Sequence, residues 1–297
     1  MATVSSRTFH NTSSAYILPN DATEQDRLDL QSSCIKSLLG GRVTLAPLPP
    51  KPSKILDVGC GTAHGTLDIA RQHPSAQVYG LDITPVSERA RSQAPENLHF
   101  LEGNVLEVDA AAPPSSSSPL AALQPNTFTH VFSRLLFLGM NDWPGYISRA
   151  KALLVPGGYL EIQEMDPYFY DADGKHIEYE FEGTMNGVLE ARGLDLRAGM
   201  HAAERMRAAG FVDVNVERRR WVIHTLPGEP ETDMTRYFSQ STPAMFNLLL
   251  EKMVLPQADR FGGEEAVRKW HQSAKECLFD VPGAHSEFFV TVGRKPE

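Results

Sequence analysis

The chain has 297 residues, of which 41% are hydrophobic and 22% are charged, a composition typical of a globular protein with a sizeable core. Its 28 lysines and arginines against 37 aspartates and glutamates give a net charge of −9, which argues against nucleic acid as a partner. The three cysteines lack metal or disulfide spacing, and no stretch approaches the roughly 18 apolar residues that cross a bilayer, so we expect a cytoplasmic protein with no metal and no membrane partner.

Short apolar runs alternate with helical patterns along most of the chain. Residues 1–15 are rich in serine and threonine and are predicted to be flexible. A first helix is predicted from about Thr23 to Leu39, where two glycines end it. Buried strands are then predicted at Lys54–Val58, Gln77–Leu81, Phe128–Ser133 and Tyr159–Glu164, with a shorter and more amphipathic strand at Leu98–Glu102. Helices are predicted between them at Thr66–Gln72, about Pro85–Gln93 and Trp143–Leu154.

This alternation predicts an α/β fold with a Rossmann-like, doubly wound sheet. Ligands of such sheets bind outside the carboxyl ends of the strands, so the functional residues are expected directly after each strand. Two further helices, Glu231–Met253 and Glu264–Leu278, are predicted in an apolar insertion that precedes the last strand. The fold is therefore expected to carry an N-terminal helical segment and a helical insertion.

The turn after the first strand, ILDVGCGTAHG, has the glycine content of a nucleotide-type site. A dinucleotide site needs G-x-G-x-x-G, but the sixth position counted from Gly59 is His64, so that pattern fails. What remains is Asp57, then Gly59 and Gly61, and an acid, Asp82, that closes the second strand. This arrangement is typical of S-adenosylmethionine sites. Asp57 is either a ligand contact or a structural acid that holds the turn.

Asp82 is assigned to the ribose of the cofactor, because its place at the strand end offers no obvious internal partner and lets it accept bonds from both hydroxyls. Ile83 follows it and is grouped with the cofactor contacts. The third strand is followed by Asn104 and Val105, where an adenine would lie. Asn104 is expected to bond a base edge and Val105 to pack on its face. The alternative is that Asn104 caps a turn.

Five stretches together resemble the fungal LaeA-like methyltransferases, class I S-adenosylmethionine-dependent enzymes of secondary metabolism: YILPNDATEQDRLDLQ, ILDVGCGT, VYGLDITP, NDWPGYISRAKALLVPGGYLEIQE and VTVGRKP. The resemblance runs from about Tyr16 to Pro296. It implies a seven-stranded sheet whose reversed final hairpin comprises Val212–Thr225 and Phe288–Arg294.

The resemblance also implies that Tyr16 and the helix with Arg27 and Gln31 cover the methionine end of the cofactor. The alternatives are a surface anchor for Tyr16, an ion pair with Glu24 for Arg27, and a solvated position for Gln31. The chain departs from the group at Ala63, where its members have glycine. We expect the methyl group of Ala63 to approach the methionine carboxylate and the residue to resist a positive φ, so that binding is weaker or the turn is reshaped.

The residues after the fourth and fifth strands are expected to line the cavity. Arg134 is assigned to the cofactor, with an internal ion pair to Glu164 as the alternative. The substrate pocket is predicted to contain Phe137, Met140, Glu164, Tyr168 and Phe246. His201, expected to open a helix over the cleft, is the candidate general base, with a structural role as the alternative. Methyl transfer from a sulfonium depends mostly on positioning, and a base is needed only if the acceptor loses a proton.

The predicted organisation has five segments: a flexible N-terminus (1–15), a cofactor-covering segment (16–50), a cofactor-binding core (51–227), a helical cap (228–285) and the last strand with the C-terminus (286–297). The favoured function is methylation of O, N or S in a small-molecule acceptor of fungal secondary metabolism, with a homodimer left open. One alternative is a LaeA-type regulator acting through protein partners. Another is a cyclase or pericyclase that binds the cofactor without transferring its methyl group.

Overall fold

The computed structural model describes residues 21–108, 114–115, 118–279 and 281–297, so the N-terminus predicted to be flexible lies outside the described residues. Seven strands form one sheet in this part of the chain: β1 (Lys54–Val58), β2 (Gln77–Asp82), β3 (Leu98–Glu102), β4 (Phe128–Arg134), β5 (Leu154–Tyr170), β6 (Val212–Val222) and β7 (His285–Arg294). Its α-helices are α1 (Ala22–Leu38), α2 (His64–Gln72), α3 (Glu88–Ser92), α4 (Trp143–Leu153), α5 (Glu180–Glu190), α6 (Ala198–Ala208), α7 (Asp233–Leu249) and α8 (Glu264–Phe279). Among the described helices, none has the length and apolarity needed to cross a bilayer.

The strand order is β3-β2-β1-β4-β5-β7-β6. The first five strands are mutually parallel, whereas β7 runs antiparallel to both β5 and β6. The order reverses at the β1–β4 pair, and such a reversal opens a crevice at the carboxyl ends of the strands. The predicted α/β, Rossmann-like class is confirmed by this topology.

Burial explains why the central strands form where the sequence predicts them. In β1 the residues after Lys54 are all buried, and they pair in register with β2 from Ile55↔Val78 to Val58↔Leu81. Such a strand needs apolar side chains on both faces, which Ile55, Leu56 and Val58 provide.

Several elements differ from their predictions, including the hairpin strands, since β6 ends at Val222 rather than Thr225 and β7 begins at His285 rather than Phe288. Strand β5 is far longer than Tyr159–Glu164, because Leu154 already pairs with Phe128 and the far end pairs with β7 as far as Tyr170. Helix α3 is shorter, because the Ser87 side chain accepts from the Ala90 N–H and caps it there. Helix α5 was not predicted. Helix α8 begins at Glu264 as predicted. Helix α7 begins at Asp233 rather than Glu231, ends at Leu249 and continues as a π-helical turn to Val254.

Helices α1 and α7 lie together above the carboxyl end of the sheet. The Asp21 side chain accepts from the Glu24 N–H at 3.1 Å and caps the start of α1. Helix α7 is anchored by Phe238, whose ring meets fully buried Trp221 of β6 edge to face at 4.9 Å. Such aromatic pairs contribute about 0.5–1.5 kcal/mol beyond burial. The insertion is therefore fixed to the last hairpin while its other side covers the crevice.

Candidate functional site

A cavity of about 890 Å³ occupies the crevice at the carboxyl ends of β1 to β4. Its walls are the glycine turn after β1, the end of β2, the segment after β3 and the loop after β4, and α1 with Met245 of α7 closes it above. Ten predicted site residues line it: Arg27, Gly59, Gly61, Asp82, Ile83, Asn104, Val105, Arg134, Phe137 and Met140. The strand ends therefore converge on one site, as the topology requires.

Gly59 and Gly61, the two glycines of the turn, have different structural roles. The N–H of Gly59 donates to Leu81 O at 2.8 Å, which ties the turn to β2. Gly59 has φ +72°, and a Cβ there would overlap the Leu136 side chain. Gly61 has φ +55°, but a Cβ there would meet no heavy atom within 4 Å. Gly59 thus makes room for the protein's own loop, whereas Gly61 leaves the cavity side of the turn open.

The expectation for Ala63 is wrong on both counts. Ala63 adopts φ 64° and ψ 12°, in the left-handed region, directly before α2. Its side chain is fully buried against Val86 and Ala90, away from the cavity lining. The turn therefore keeps its shape, at a cost of about 1–2 kcal/mol for a left-handed residue with a Cβ.

Asp82 has internal partners, contrary to the sequence-based expectation. One carboxylate oxygen accepts from the Gly61 N–H at 2.8 Å, and the other accepts from the backbone N–H and the hydroxyl of Thr84, both at 3.0 Å. A carboxylate has about four acceptor positions. Asp82 therefore locks the glycine turn to the end of β2 and keeps one position for a ligand, rather than two.

Asn104 caps a turn, the alternative considered from the sequence, and it also lies on the cavity wall. Its Oδ1 accepts from the Leu106 N–H at 3.0 Å and caps the short 3-10 turn Val105–Glu107. Its amide nitrogen has no hydrogen-bond partner among the described residues, and the residue lines the cavity wall. Val105 is buried beside it, and Ile83 lines the wall after Asp82.

Asp57 is a structural acid. It is buried below the cavity, and its Oδ2 accepts from the Thr66 hydroxyl at 2.6 Å. Burial raises the pKa of Asp57 to about 6, although the Thr66 hydrogen bond and nearby Arg134 act in the opposite direction. The side chain fastens the start of α2 to β1 and does not line the cavity.

Arg134, at the end of β4, places a buried guanidinium on the cavity wall. Its Nη2 donates to Ser32 Oγ of α1 at 2.7 Å, while its Nη1 is buried with no hydrogen-bond partner among the described residues. Burial lowers the pKa of this guanidinium. The group fits beside α2 only because residue 65 is glycine, where a Cβ would lie 2.6 Å from Nη2. An unpaired buried donor of this kind calls for an anion.

Helix α1 presents one face to the cavity, with Gln31 on it beside Arg27. Arg27 donates to Glu24 through Nε at 3.0 Å, the ion pair considered from the sequence, and through Nη1 to the Tyr237 hydroxyl of α7 at 2.6 Å. Both Glu24 and Tyr237 are buried. Glu24 and Ser32 also line the cavity, although neither was predicted as a site residue, and both follow the i, i+3, i+4 spacing of this helix face. Tyr16 lies outside the described residues.

The remaining wall is apolar and rich in methionine. Phe137 and Met140 follow β4, and they are joined by Met165 of β5 and Met245 of α7, two methionines that were not among the predicted pocket residues. Methionine adapts its shape to irregular partners. Phe246 belongs to α7, but its side chain lies outside what the structure describes.

Besides Asp57, three predicted site residues that the structure describes do not line the cavity. Glu164 is fully buried beneath it and accepts from the Leu136 N–H at 2.6 Å, so the alternative ion pair with Arg134 does not form. The Tyr168 hydroxyl accepts from the Asn186 side chain, and its ring stacks on Arg197. His201 lies in the first turn of α6, where its side chain is 45% exposed and pairs with Asp195 at 2.8 Å. These side chains contact neighbouring residues rather than the cavity, because β5 and α6 pack against each other in this region.

Comparisons with known proteins agree with this geometry. Residues 33–218 match the model of a family described as a methyltransferase domain. The chain is 30% identical over 221 residues to methyltransferase pytC of Aspergillus terreus, covering 73% of this chain and 63% of that protein. It is 25% identical over 233 residues to secondary metabolism regulator LAE1 of Cochliobolus heterostrophus, covering 75% and 71%.

A solved structure also shares the fold. Phosphoethanolamine N-methyltransferase 2 of Haemonchus contortus, in complex with S-adenosyl-L-methionine, superposes with a TM-score of 0.51 at 17% identity, covering 91% of this chain and 52% of that chain. The chain spans 63% of the length of pytC and about half of the solved structure.

Proposed function

The chain belongs to the methyltransferase-domain family, and from that premise we propose that it is an S-adenosylmethionine-dependent methyltransferase acting on a small molecule of fungal secondary metabolism. The observation that carries the proposal is the convergence of three features on one cavity: the guanidinium of Arg134, the glycine turn and Asp82. A ligand with a carboxylate at one end and a nucleoside at the other satisfies all three features.

The residues fit the cofactor end to end. Arg134 would hold the methionine carboxylate, the open backbone at Gly61 would let the chain approach, and the remaining acceptor position of Asp82 would take one ribose hydroxyl. Asn104 would offer its amide nitrogen to an acceptor on the adenine edge, with Val105 beneath the ring. When bound, S-adenosylmethionine supplies an electrophilic methyl group on a sulfonium.

The protein's own part in the reaction is positioning and exclusion of water. The loop after β4 and the methionine side chains of the apolar wall would hold an acceptor beside the cofactor, while α1 and α7 close the cavity. His201 is not proposed as a base, because it does not line the cavity.

The size and lining of the cavity support a small, largely apolar acceptor. Sites for single drug-sized ligands span about 300–1,000 Å³, and this cavity of about 890 Å³ lies near the upper end, with room for a cofactor and a small partner. The similarity to pytC supports secondary metabolism as the context and leaves methylation at O, N or S as the open detail. The similarity to LAE1 favours one second candidate, a regulator that acts through protein partners.

Transfer of a labelled methyl group distinguishes these functions. The full chain is incubated with methyl-labelled S-adenosylmethionine and a metabolite extract from fungal cells that lack it, and the products are fractionated by size. Label in a small apolar molecule, lost in Arg134→Met and retained in His201→Ala, supports the proposal. Label in protein favours the regulator, and cofactor binding without any transfer contradicts methyl transfer to metabolites.

A further inference from the structure

The loop after β4, residues 135–140, leaves its strand by a constrained turn. Leu135 has φ +55°, a left-handed conformation that is unfavourable for leucine. Its N–H donates to Gln163 O at 2.8 Å, and the N–H groups of Gly139 and Met140 both return to Leu136 O, at 2.8 and 2.9 Å. Because this turn is strained, an interaction from outside the loop must stabilise it.

That interaction comes from Glu164 of β5. Its side chain is fully buried, and Oε1 accepts from the Leu136 N–H at 2.6 Å. Helix α6 closes over it, since a Cβ at Gly199 would lie 3.2 Å from Glu164 Cβ. The carboxyl group therefore sits between α6 and the loop backbone and cannot reach solvent.

The loop in turn touches the glycine turn. Leu136 fills the space that Gly59 leaves by lacking a Cβ, and Phe137 continues along the cavity wall. A single chain of contacts thus runs from the Glu164 carboxyl group through the Leu136 backbone and side chain to Gly59.

We propose that Glu164 is a positioning residue whose carboxyl group holds the loop 135–140 against the glycine turn and so sets where an acceptor lies relative to the cofactor. The last clause rests on the proposed methyltransferase function, whereas the holding of the loop does not. Removing the carboxyl group leaves the Leu136 N–H without this acceptor, so the loop relaxes and Leu136 moves away from Gly59.

Two substitutions separate hydrogen bonding from shape. Glu164→Gln keeps a carbonyl oxygen that accepts from the Leu136 N–H, while Glu164→Met keeps a similar volume without an acceptor. The matched control is Glu161→Met: Glu161 is equally buried on the same strand, but it accepts from the Leu45 and Ala46 N–H groups, at 2.9 and 2.8 Å, rather than from the loop.

The readouts are amide hydrogen exchange of the full chain without ligand and the Kd for S-adenosylhomocysteine. Glu164→Met is expected to accelerate exchange in 135–140 at least about tenfold while 288–294 of β7 is unchanged, and to raise the Kd about tenfold. For Glu164→Gln and Glu161→Met, the exchange rate in 135–140 and the Kd for S-adenosylhomocysteine are both expected to stay within about threefold of the wild type.

Unchanged exchange in 135–140 of Glu164→Met, or acceleration spread equally over the whole sheet, overturns the proposal. If Glu164→Met does not fold, Glu164→Asp keeps the carboxyl group but shortens the side chain by one methylene, and it is expected to weaken the bond to the Leu136 N–H and to accelerate exchange in 135–140 alone. Absence of S-adenosylhomocysteine binding by the wild type contradicts the proposed function, while the exchange result still decides the role of Glu164.

Discussion

Alanine substitution at the two glycines of the turn tests the assignment of their different roles. Gly59→Ala and Gly61→Ala place the same methyl group two residues apart, and both positions have positive φ. Only the Gly59 methyl group would overlap Leu136, because no heavy atom lies within 4 Å of the Cβ position at Gly61. The pair therefore separates backbone strain from steric overlap.

The expected magnitudes follow from these two terms. A left-handed conformation costs a residue with a Cβ about 1–2 kcal/mol, which is the whole effect expected for Gly61→Ala. Overpacking adds about 1–3 kcal/mol, so Gly59→Ala is expected to lower the free energy of unfolding by about 2–5 kcal/mol. In a Leu136→Ala background the overlap is gone, and the cost of Gly59→Ala should fall to that of Gly61→Ala.

The assay is urea denaturation of each full-length variant without cofactor, with the free energy of unfolding from linear extrapolation. Equal destabilisation by Gly59→Ala and Gly61→Ala would refute the reasoning, as would an excess cost at Gly59 that persists in the Leu136→Ala background. Affinity for S-adenosylhomocysteine is measured alongside. It should fall in Gly61→Ala despite the smaller loss of stability, because that methyl group enters the open side of the turn.

Three further predictions concern the buried polar groups. Arg134→Met should raise the Kd for S-adenosylhomocysteine about 10- to 150-fold, the equivalent of about 1.5–3 kcal/mol for a charged hydrogen bond, but leave the Kd for methylthioadenosine, which has no carboxylate, unchanged; equal losses for both ligands would contradict it. Burial raises the pKa of Glu164 to about 8, so its contribution to stability is complete below the pKa of the unfolded chain and is lost as the pH rises toward the folded value. The wild type should therefore lose about 1.4 kcal/mol per pH unit relative to Glu164→Gln between about pH 5 and 8, and parallel pH profiles in urea titrations would count against this. Tyr237→Phe removes the hydroxyl that accepts from Arg27 and should lower the free energy of unfolding by about 1.5–3 kcal/mol, whereas an unchanged denaturation midpoint would show that this contact between α1 and α7 contributes nothing.

The sequence predicts best what depends on local pattern. Strands β1 and β3 begin and end at the predicted residues, and Gly59, Gly61 and Asp82, which the sequence grouped by their spacing, all line the cavity. These residues follow consecutive parallel strands, so the topology alone brings them together.

Other features depend on partners distant in the chain. Asp82 looks free in the sequence because its partner Gly61 belongs to a different turn, and Glu164 looks like a pocket residue because nothing local shows that Leu136 donates to it. Met245 reaches the cavity only because α7 is anchored on β6 through Trp221. Contacts of this kind are set by tertiary packing.

His201 shows that a local sequence pattern does not determine which way a side chain points. A histidine near the start of a helix is a reasonable candidate base, but the direction of α6 sets which way its side chain points. In the structure the imidazole meets Asp195 on a half-exposed face of α6. The expectation for Ala63 was wrong for a similar reason, since burial against Val86 and Ala90 stabilises a conformation that the local sequence disfavours.

The most direct test of the central claim is equilibrium dialysis of labelled S-adenosylmethionine against the full chain, with Asp82→Ala and His201→Ala as the matched pair. The account predicts one saturable site in the wild type and in His201→Ala, and at least a tenfold weaker site in Asp82→Ala, roughly 1.4 kcal/mol or more. Absence of saturable binding by the wild type, or equal binding by Asp82→Ala, would contradict the assignment of this cavity to the cofactor.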